Sequence, residues 1–401
     1  MTYNTLDIQK ELPPGWESTD LGSVAEYING RGFRKYEWSD KGLPIIRIEN
    51  LNNEEKEHNY FSGEILDKHK VSDGDLLISW SASLDAYLWE RGPAALNQHI
   101  FKVIPDTKII DKKFLFFQIK NIISEIRKKA HGGGMVHVTK NDFEKIKISL
   151  PMLSEQKRIV SILNEQMVTV EKAKKAAEER LEAAKALPAA YLRDVFEGEE
   201  AESWPSYSLG EVLEFKNGVN FSGDKKGTGL LTVDVINMYS DGIHPNYERL
   251  YRVDISPSED YYLNSGDILF VRSSVKKEGV GWPSLFQGFT EPMTYCGFLI
   301  RGRPLKTGLS SSFLVHQLRI PRIRHEIIES SGTTAITNIS QLKLKAIEVK
   351  IPDQSKQVEV LSSLDNKFAA ASLAEESIQQ ELDTIEAMPS SLLRNAFKGE
   401  L

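Results

Sequence analysis

Residues 154–199 of this chain return at 355–400, 201 positions later and without a gap. Ser154 meets Ser355, Gln156 meets Gln357, Ser161 meets Ser362 and Leu163 meets Leu364. Further on, Pro188 meets Pro389, Leu192-Arg193 meets Leu393-Arg394, and Phe196, Gly198 and Glu199 meet Phe397, Gly399 and Glu400. A repeat with a rigid offset marks a duplication, and it limits the fold to architectures with two related halves. Upstream the repeat continues more loosely. Trp16-x4-Leu21-Gly22-x-Val24 recurs as Trp204-x4-Leu209-Gly210-x-Val212, and Asn29-Gly30-x-x-Phe33 as Asn217-Gly218-x-x-Phe221. Gly74-Asp75-Leu76-Leu77 recurs as Gly266-Asp267-Ile268-Leu269. The drifting offset places insertions in surface loops. Each half is therefore a divergent head of about 150 residues, a typical domain size, followed by a helical segment of fixed length.

The helical segments carry heptads. One seam position of the first copy holds Leu163, Val170, Ala177 and Ala184, and the other holds Met167, Lys174, Leu181 and Pro188. The second copy places Leu364, Ala371, Ile378 and Ile385 against Phe368, Glu375, Leu382 and Pro389. Such stripes pair helices. Matched length and register favour an antiparallel coiled coil over two helices that each pack on their own head. Ser154 and Ser355, preceded by Pro151 and Pro352, are the expected N-caps. Lys174 and Glu375 interrupt the seams at equivalent positions and are expected to pair near the pseudo-twofold centre. From Ser154 to Leu187 such a helix is about 50 Å long. That corresponds to roughly 15 base pairs of duplex.

Composition narrows the function. The 401 residues suit two domains, and 40% hydrophobic with 27% charged residues describes a soluble globular protein. Met1 to Pro14 lacks the apolar core of a signal peptide, and no run is long enough to span a bilayer. The single cysteine, Cys296, excludes a disulfide within the chain and fits a reducing cytoplasm. Net charge is −7, which by itself argues against a nucleic-acid partner. The acid is concentrated in the helical segments, however: −2 over 151–200 and −5 over 353–401, against −1 over 1–150 and +1 over 201–352. Balanced heads can still present a basic face. No Gly-x4-Gly-Lys-Ser/Thr phosphate loop and no Asn/Asp-Pro-Pro-aromatic run is present, and Pro105-Asp106 and Pro352-Asp353 are only fragments of a nuclease motif. No catalytic residue, cofactor or metal site is expected.

The heads read as short strands and turns with one or two helices. Strands are predicted over 43–48, 75–80 and 100–104, with counterparts over 230–235, 267–272 and 298–301. Helices are predicted over 113–129 and 312–329. The predicted class is α+β: two mixed α/β heads joined by two long antiparallel coiled-coil helices with pseudo-twofold symmetry. A small-residue loop follows each head helix, Ala130–His137 with Gly133 and Ser330–Ala335 with Thr333 and Thr334. Either these loops cradle phosphates with nearby Lys128, Lys129 and Arg322, or they simply end the helices. After the Gly-Asp turn the first head has Ser79-Trp80-Ser81, and the second has Arg272-Ser273-Ser274-Val275-Lys276. The same position with different chemistry suits two heads that read different bases, since arginine bonds guanine and serine takes either partner. Arg31, Arg34, Lys35 and Lys225 are further candidate DNA contacts. Asn97-Gln98-His99 either meets adenine edges or satisfies a buried strand.

The motifs from Leu150-Pro-x-x-Ser-Glu-Gln through Leu192-Arg-Asp-Val-Phe-Glu-Gly198, repeated from Ile351-Pro-x-x-Ser-Lys-Gln through Leu393-Arg-Asn-Ala-Phe-Lys-Gly399, resemble the specificity (S) subunit of type I restriction–modification systems. Leu12-Pro-x-Gly-Trp16 and the Gly-Asp turns resemble it too, and Lys356 departs from Glu155 of the first copy. The resemblance implies target recognition domains over 1–150 and 201–352, with conserved helices over 151–200 and 353–401. It implies a non-catalytic subunit that reads a bipartite sequence in double-stranded DNA. It also implies docking, through helix positions such as Leu163, Val170, Leu181, Leu364, Ile378 and Ile385, of two methyltransferase (M) subunits that use S-adenosylmethionine. Restriction (R) subunits would be further partners. A coiled-coil adaptor with protein-binding heads is the alternative from another class, and a nuclease or methyltransferase fused to a recognition head is a third.

Overall fold

The computed structural model describes residues 12–80, 84–129, 140–240, 242–332 and 336–401. The chain divides into two compact units, Met1–Glu178 with Gln380–Leu401, and Glu179–Gln379.

In the first unit a four-stranded antiparallel sheet runs in the order Ala25–Asn29, Ile100–Pro105, Leu76–Ser79, Asp85–Leu88. Strand Leu76–Ser79 is buried on both faces, so it reads as an apolar run rather than an alternation. Leu76 and Ile78 enter the core under helix Lys112–Lys129, while Leu77 enters a second core with Ile46 and Trp89. A second sheet, Asn59–Phe61, Leu43–Ile46, Ala94–Leu96, Lys70–Val71, contains one parallel pair. The other unit repeats this plan with Leu213–Asn217, Leu299–Pro304, Ile268–Val271 and Pro283–Leu285, beside Tyr251–Val253, Lys226–Val233 and Met293–Tyr295. There Ile268 and Phe270 face one core, and Leu269 and Val271 the other.

The repeated motifs now have physical reasons. Gly74 and Gly266 take φ of +81° and +95°, a region that favours glycine. The aspartate after each closes its turn: Asp75 accepts from the Ser72 N–H at 2.9 Å and Asp267 from the Asn264 N–H at 2.8 Å. A Cβ on Gly30 would lie 2.0 Å from the Asn97 carbonyl oxygen, and one on Gly218 2.0 Å from that of Cys296, so neither turn admits a side chain.

The long helices are Leu153–Glu197 and Gln354–Phe397. In the first unit Val160 and Leu163, near the start of one helix, share a core with Leu393, Ala396 and Phe397 at the end of the other. In the second unit Val360 and Leu364 share a core with Phe196. Starts meet ends in both, so the pairing is antiparallel. Phe397 packs edge-on against Phe114 at 5.4 Å, and Phe196 against Phe313 at 5.1 Å. Leu181, Ile378 and Ile385 are buried as the seam requires, and Val170 is half-buried.

Four expectations are corrected. Both helices run through Pro188 and Pro389, because the lost hydrogen bond is offset by the aromatic packing beyond it; at about 1.5 Å per residue each is nearly 70 Å long. Ser154 and Ser355 lie inside the first turn, not at the N-cap, and Asp353 caps the second helix by accepting from the Lys356 N–H at 3.0 Å. Lys174 pairs with Glu386 at 2.8 Å rather than with Glu375, because helices that continue past their prolines cross at a shifted register. The helix predicted over 312–329 is two, Ser311–Leu318 and Pro321–Ser330, since Pro321 fits only the first turn of a new helix. Among the described residues no helix is long and apolar enough to cross a membrane, and no cluster of His, Cys, Asp and Glu is arranged to hold a metal ion.

Candidate nucleic-acid interface

Strand Ile268–Val271 delivers Arg272 to the edge of the second head, where Ser273–Ser274 pairs with Thr337–Asn338. These elements border an open groove of about 490 Å³ lined by Asn217, Arg272, Asn338, Ser340, Gln341 and Lys343 among others. No described carboxylate lines it. In a chain of net charge −7 that selection is notable, because groups that donate hydrogen bonds beside cations suit an anionic polymer bearing acceptors. The Arg272 guanidinium donates to the Gly297 carbonyl at 3.2 Å, and its main chain is tied to Phe298 and Ile339 at 2.8 and 2.9 Å. Phe298, on the turn touching Arg272, is 60% exposed.

The other candidates of this head scatter. Ser273 bonds the Asn338 side chain, and Ser274 is buried with its hydroxyl 3.4 Å from that of Tyr239, which removes Ser274 from base contact. Lys276 is exposed, as is Lys225, which faces Asp254 at 3.8 Å. Arg322 lies elsewhere, 3.8 Å from Glu197 at the end of the long helix. Its neighbours Arg319 and Arg324 flank Trp282 at 4.7 and 5.3 Å and donate to main-chain carbonyls. Burial lowers both guanidinium pKa values to about 10. Thr333 and Thr334 lie outside the described residues. Cys296 is structural: its thiol donates to Asp234 at 3.0 Å, and burial followed by that carboxylate pushes it well above its ordinary range.

In the first head Trp80 stands where Arg272 stands in the second. It packs on Phe101 and against His99, with ring centres 5.7 and 5.4 Å away. Ser79 is fully buried and accepts from the Asp85 N–H at 3.1 Å, so it is not a surface contact. Ser81 and Gly133 lie outside the described residues, as do the side chains of Lys128 and Lys129. Arg31 is committed within the fold, paired with Glu37 and lying over Phe33 and Phe61 at 4.8 and 4.7 Å. The Arg34 N–H and then the Arg31 guanidinium hold the Glu37 carboxyl below its ordinary range. Arg34 and Lys35 are exposed beside Tyr36. An open cleft of about 580 Å³ nearby is lined by Phe33, Trp38, Arg47, Asn97, Gln98 and His99, with one carboxylate, Glu49, paired to Arg47 at 2.9 Å. Sequence reasoning missed Arg47 and Trp38 here, and Asn338, Gln341 and Phe298 in the second head. For Phe298 the available signal was its place on the turn equivalent to Asn97-Gln98-His99.

Comparison with known proteins adds lineage to this geometry. Residues 13–180 match the family described as Type I restriction modification DNA specificity domain. The chain is 24% identical over 423 residues to the type I restriction enzyme EcoKI specificity subunit of Escherichia coli (strain K12), covering 98% of this chain and 90% of that protein. It is likewise 24% identical over 406 residues to the MjaVIII specificity subunit of Methanocaldococcus jannaschii, covering 92% and 90%. The fold is that of the HsdS subunit from Thermoanaerobacter tengcongensis, with a TM-score of 0.64 at 20% identity over 99% of this chain and 100% of that one. A chain from a structure on complex assembly and conformational transition of the type I R-M system gives 0.72 at 19% identity over 98% and 100%. In sequence along nearly its whole length, and in fold, this chain is similar to the specificity subunits of type I restriction–modification systems.

Proposed function

We propose that the chain is the DNA-reading subunit of a type I restriction–modification complex in the cytoplasm. Each head would read one half of a bipartite duplex target, and the paired helices would set the gap. The carrying observation is the carboxylate-free groove around Arg272 in a chain that is acidic as a whole. Phosphate contacts would come from exposed cations such as Arg34, Lys35, Lys225 and Lys276, and base contacts from the groove. The subunit carries no chemistry of its own. Methyl transfer would belong to two M subunits docked on the helices, and cleavage to R subunits. The recognition domains would occupy 1–150 and 201–352, with helices over 151–200 and 353–401 between and after them.

The test is exchange of one head. With M subunits present, replacing residues 12–150 by the corresponding head of a relative should change one half of the methylated sequence. The other half and the gap should stay fixed. Methylome mapping that showed both halves altered would defeat separate reading. Binding to duplex DNA that was insensitive to salt would point instead to heads that bind protein.

A further inference from the structure

Phe298 is out of place by ordinary packing rules. It is a large aromatic, 60% exposed, on a turn held firmly from below. Its carbonyl accepts the N–H groups of Arg272 at 2.8 Å and Ser273 at 3.4 Å, and the Gly297 carbonyl beside it accepts from the Arg272 guanidinium at 3.2 Å. Phe298 and Arg272 are thus one unit, at the adjacent ends of the paired strands Leu299–Pro304 and Ile268–Val271. Leu342 on the groove lining is 78% exposed. The edge therefore offers apolar surface beside a cation and amides. A duplex major groove carries the complementary pattern: guanine acceptors for an arginine, and the thymine 5-methyl as its one apolar feature. In the first head the equivalent pair, Trp80 and His99, pack on each other, so the protruding ring belongs to the second head.

We propose that Phe298 is a specificity-determining residue that contacts the 5-methyl group of a thymine, adjacent to a guanine bonded by Arg272. The proposal rests on the DNA-reading function above. Methyl contact is favoured over insertion between base pairs because the ring sits on a short turn hydrogen-bonded to Arg272, which lines the groove.

The experiment uses the full chain with its M subunits, on duplexes carrying the methylome-derived target. Each thymine of the half-site read by the second head is replaced in turn by deoxyuridine, which lacks only the methyl. At one position the wild-type complex should bind about five- to tenfold more weakly. Phe298→Ala should lose a similar factor on the thymine duplex and be indifferent to the replacement. Independent losses, or deoxyuridine tolerated at every position, would overturn the proposal. So would a 2-aminopurine signal showing Phe298-dependent unstacking, which would mean insertion. Phe298→Leu, which keeps apolar surface, should recover part of the binding, and an unchanged melting temperature in both variants separates recognition from folding. A complex that binds its target in the salt-dependent way yet shows no coupling would refute the Phe298 assignment alone. Absence of salt-dependent binding would refute the underlying function as well.

Discussion

Gln156 and Gln357 make the same three hydrogen bonds in the two halves of the chain. Gln156 accepts from the Asp111 N–H at 2.8 Å and donates to the carbonyls of Ile109 at 3.0 Å and Pro151 at 2.8 Å. Gln357 accepts from the Ser310 N–H at 2.8 Å and donates to Gly308 at 3.3 Å and Pro352 at 2.9 Å. Both side chains are buried, at 0% and 2% exposure. Each joins the first turn of a long helix to the loop that opens the head helix, so head and helix move together. A buried amide with every group satisfied gives that joint a single geometry.

Gln156→Leu keeps the volume and removes the bonds. It strands one N–H and two carbonyls, at about 1–3 kcal/mol for each group left without a partner. Urea denaturation should show the loss, and Gln357→Leu should show a similar one in the other half. A cost below about 0.5 kcal/mol, the lower end for one ordinary hydrogen bond, would mean that water or a rearrangement replaces the joint.

The helix register makes a second prediction. Lys174→Glu should lower the melting temperature by facing Glu386, and Glu386→Lys in the same chain should restore part of it. The recovery should shrink at high salt, because the pair is partly exposed. Glu375→Lys should give no recovery. Rescue by Glu375→Lys in place of Glu386→Lys would put the helices in a different register.

Arg272→Ala should relax one base position and cost about 1–3 kcal/mol of target binding. The check is competition between duplexes that vary one base pair at a time. An equal loss on all sequences would reassign Arg272 to phosphate contact.

His316 supplies a pH dependence. Burial, with Arg319 nearby, lowers its imidazole from 6.5 to about 4, while Asp365 opposes the shift. The native state keeps the ring neutral where the unfolded chain would protonate it. The stability of that state is therefore complete above about pH 6.5 and falls as pH drops toward 4. Relative to His316→Gln, the wild type should lose roughly 1–3 kcal/mol between pH 7 and 5. A pH-independent difference between the two urea midpoints would show that His316 titrates normally in the fold.

Much of this was legible because it rests on short-range rules. The Gly74-Asp75 and Gly266-Asp267 turns announced the central strands, and the heptad positions from Leu163 to Ala184 announced the pairing. The expected helix length stopped at Leu187, just before Pro188, because propensity says nothing of the aromatic packing at Phe196 and Phe397 beyond the prolines. The register of Lys174 went wrong with them. Ser79 and Ser274 looked like surface hydroxyls, yet Ser79 faces Asp85 on the neighbouring strand and Ser274 faces Tyr239 in a loop, approaches that no local pattern encodes. Arg31 resembled a free cation because its commitment to Glu37, Phe33 and Phe61 depends on how a turn folds back. The groove cations and amides come from segments as distant as Asn217 and Lys343, and only the tertiary fold brings them together.

The aromatic contacts at the helix ends also impose an order on synthesis. Phe196 leaves the ribosome before the head whose Phe313 it meets, so that head waits only for Val360 and Leu364, a short way beyond its own last strand. Phe397 is the partner of Phe114 and is made well over 200 residues after it. At a typical 5–20 residues per second, the first head would wait roughly 10–50 seconds for the more than 200 residues separating it from Leu393, Ala396 and Phe397. The domain translated first is the one completed last, and during that interval its unfilled core is the surface a chaperone would meet.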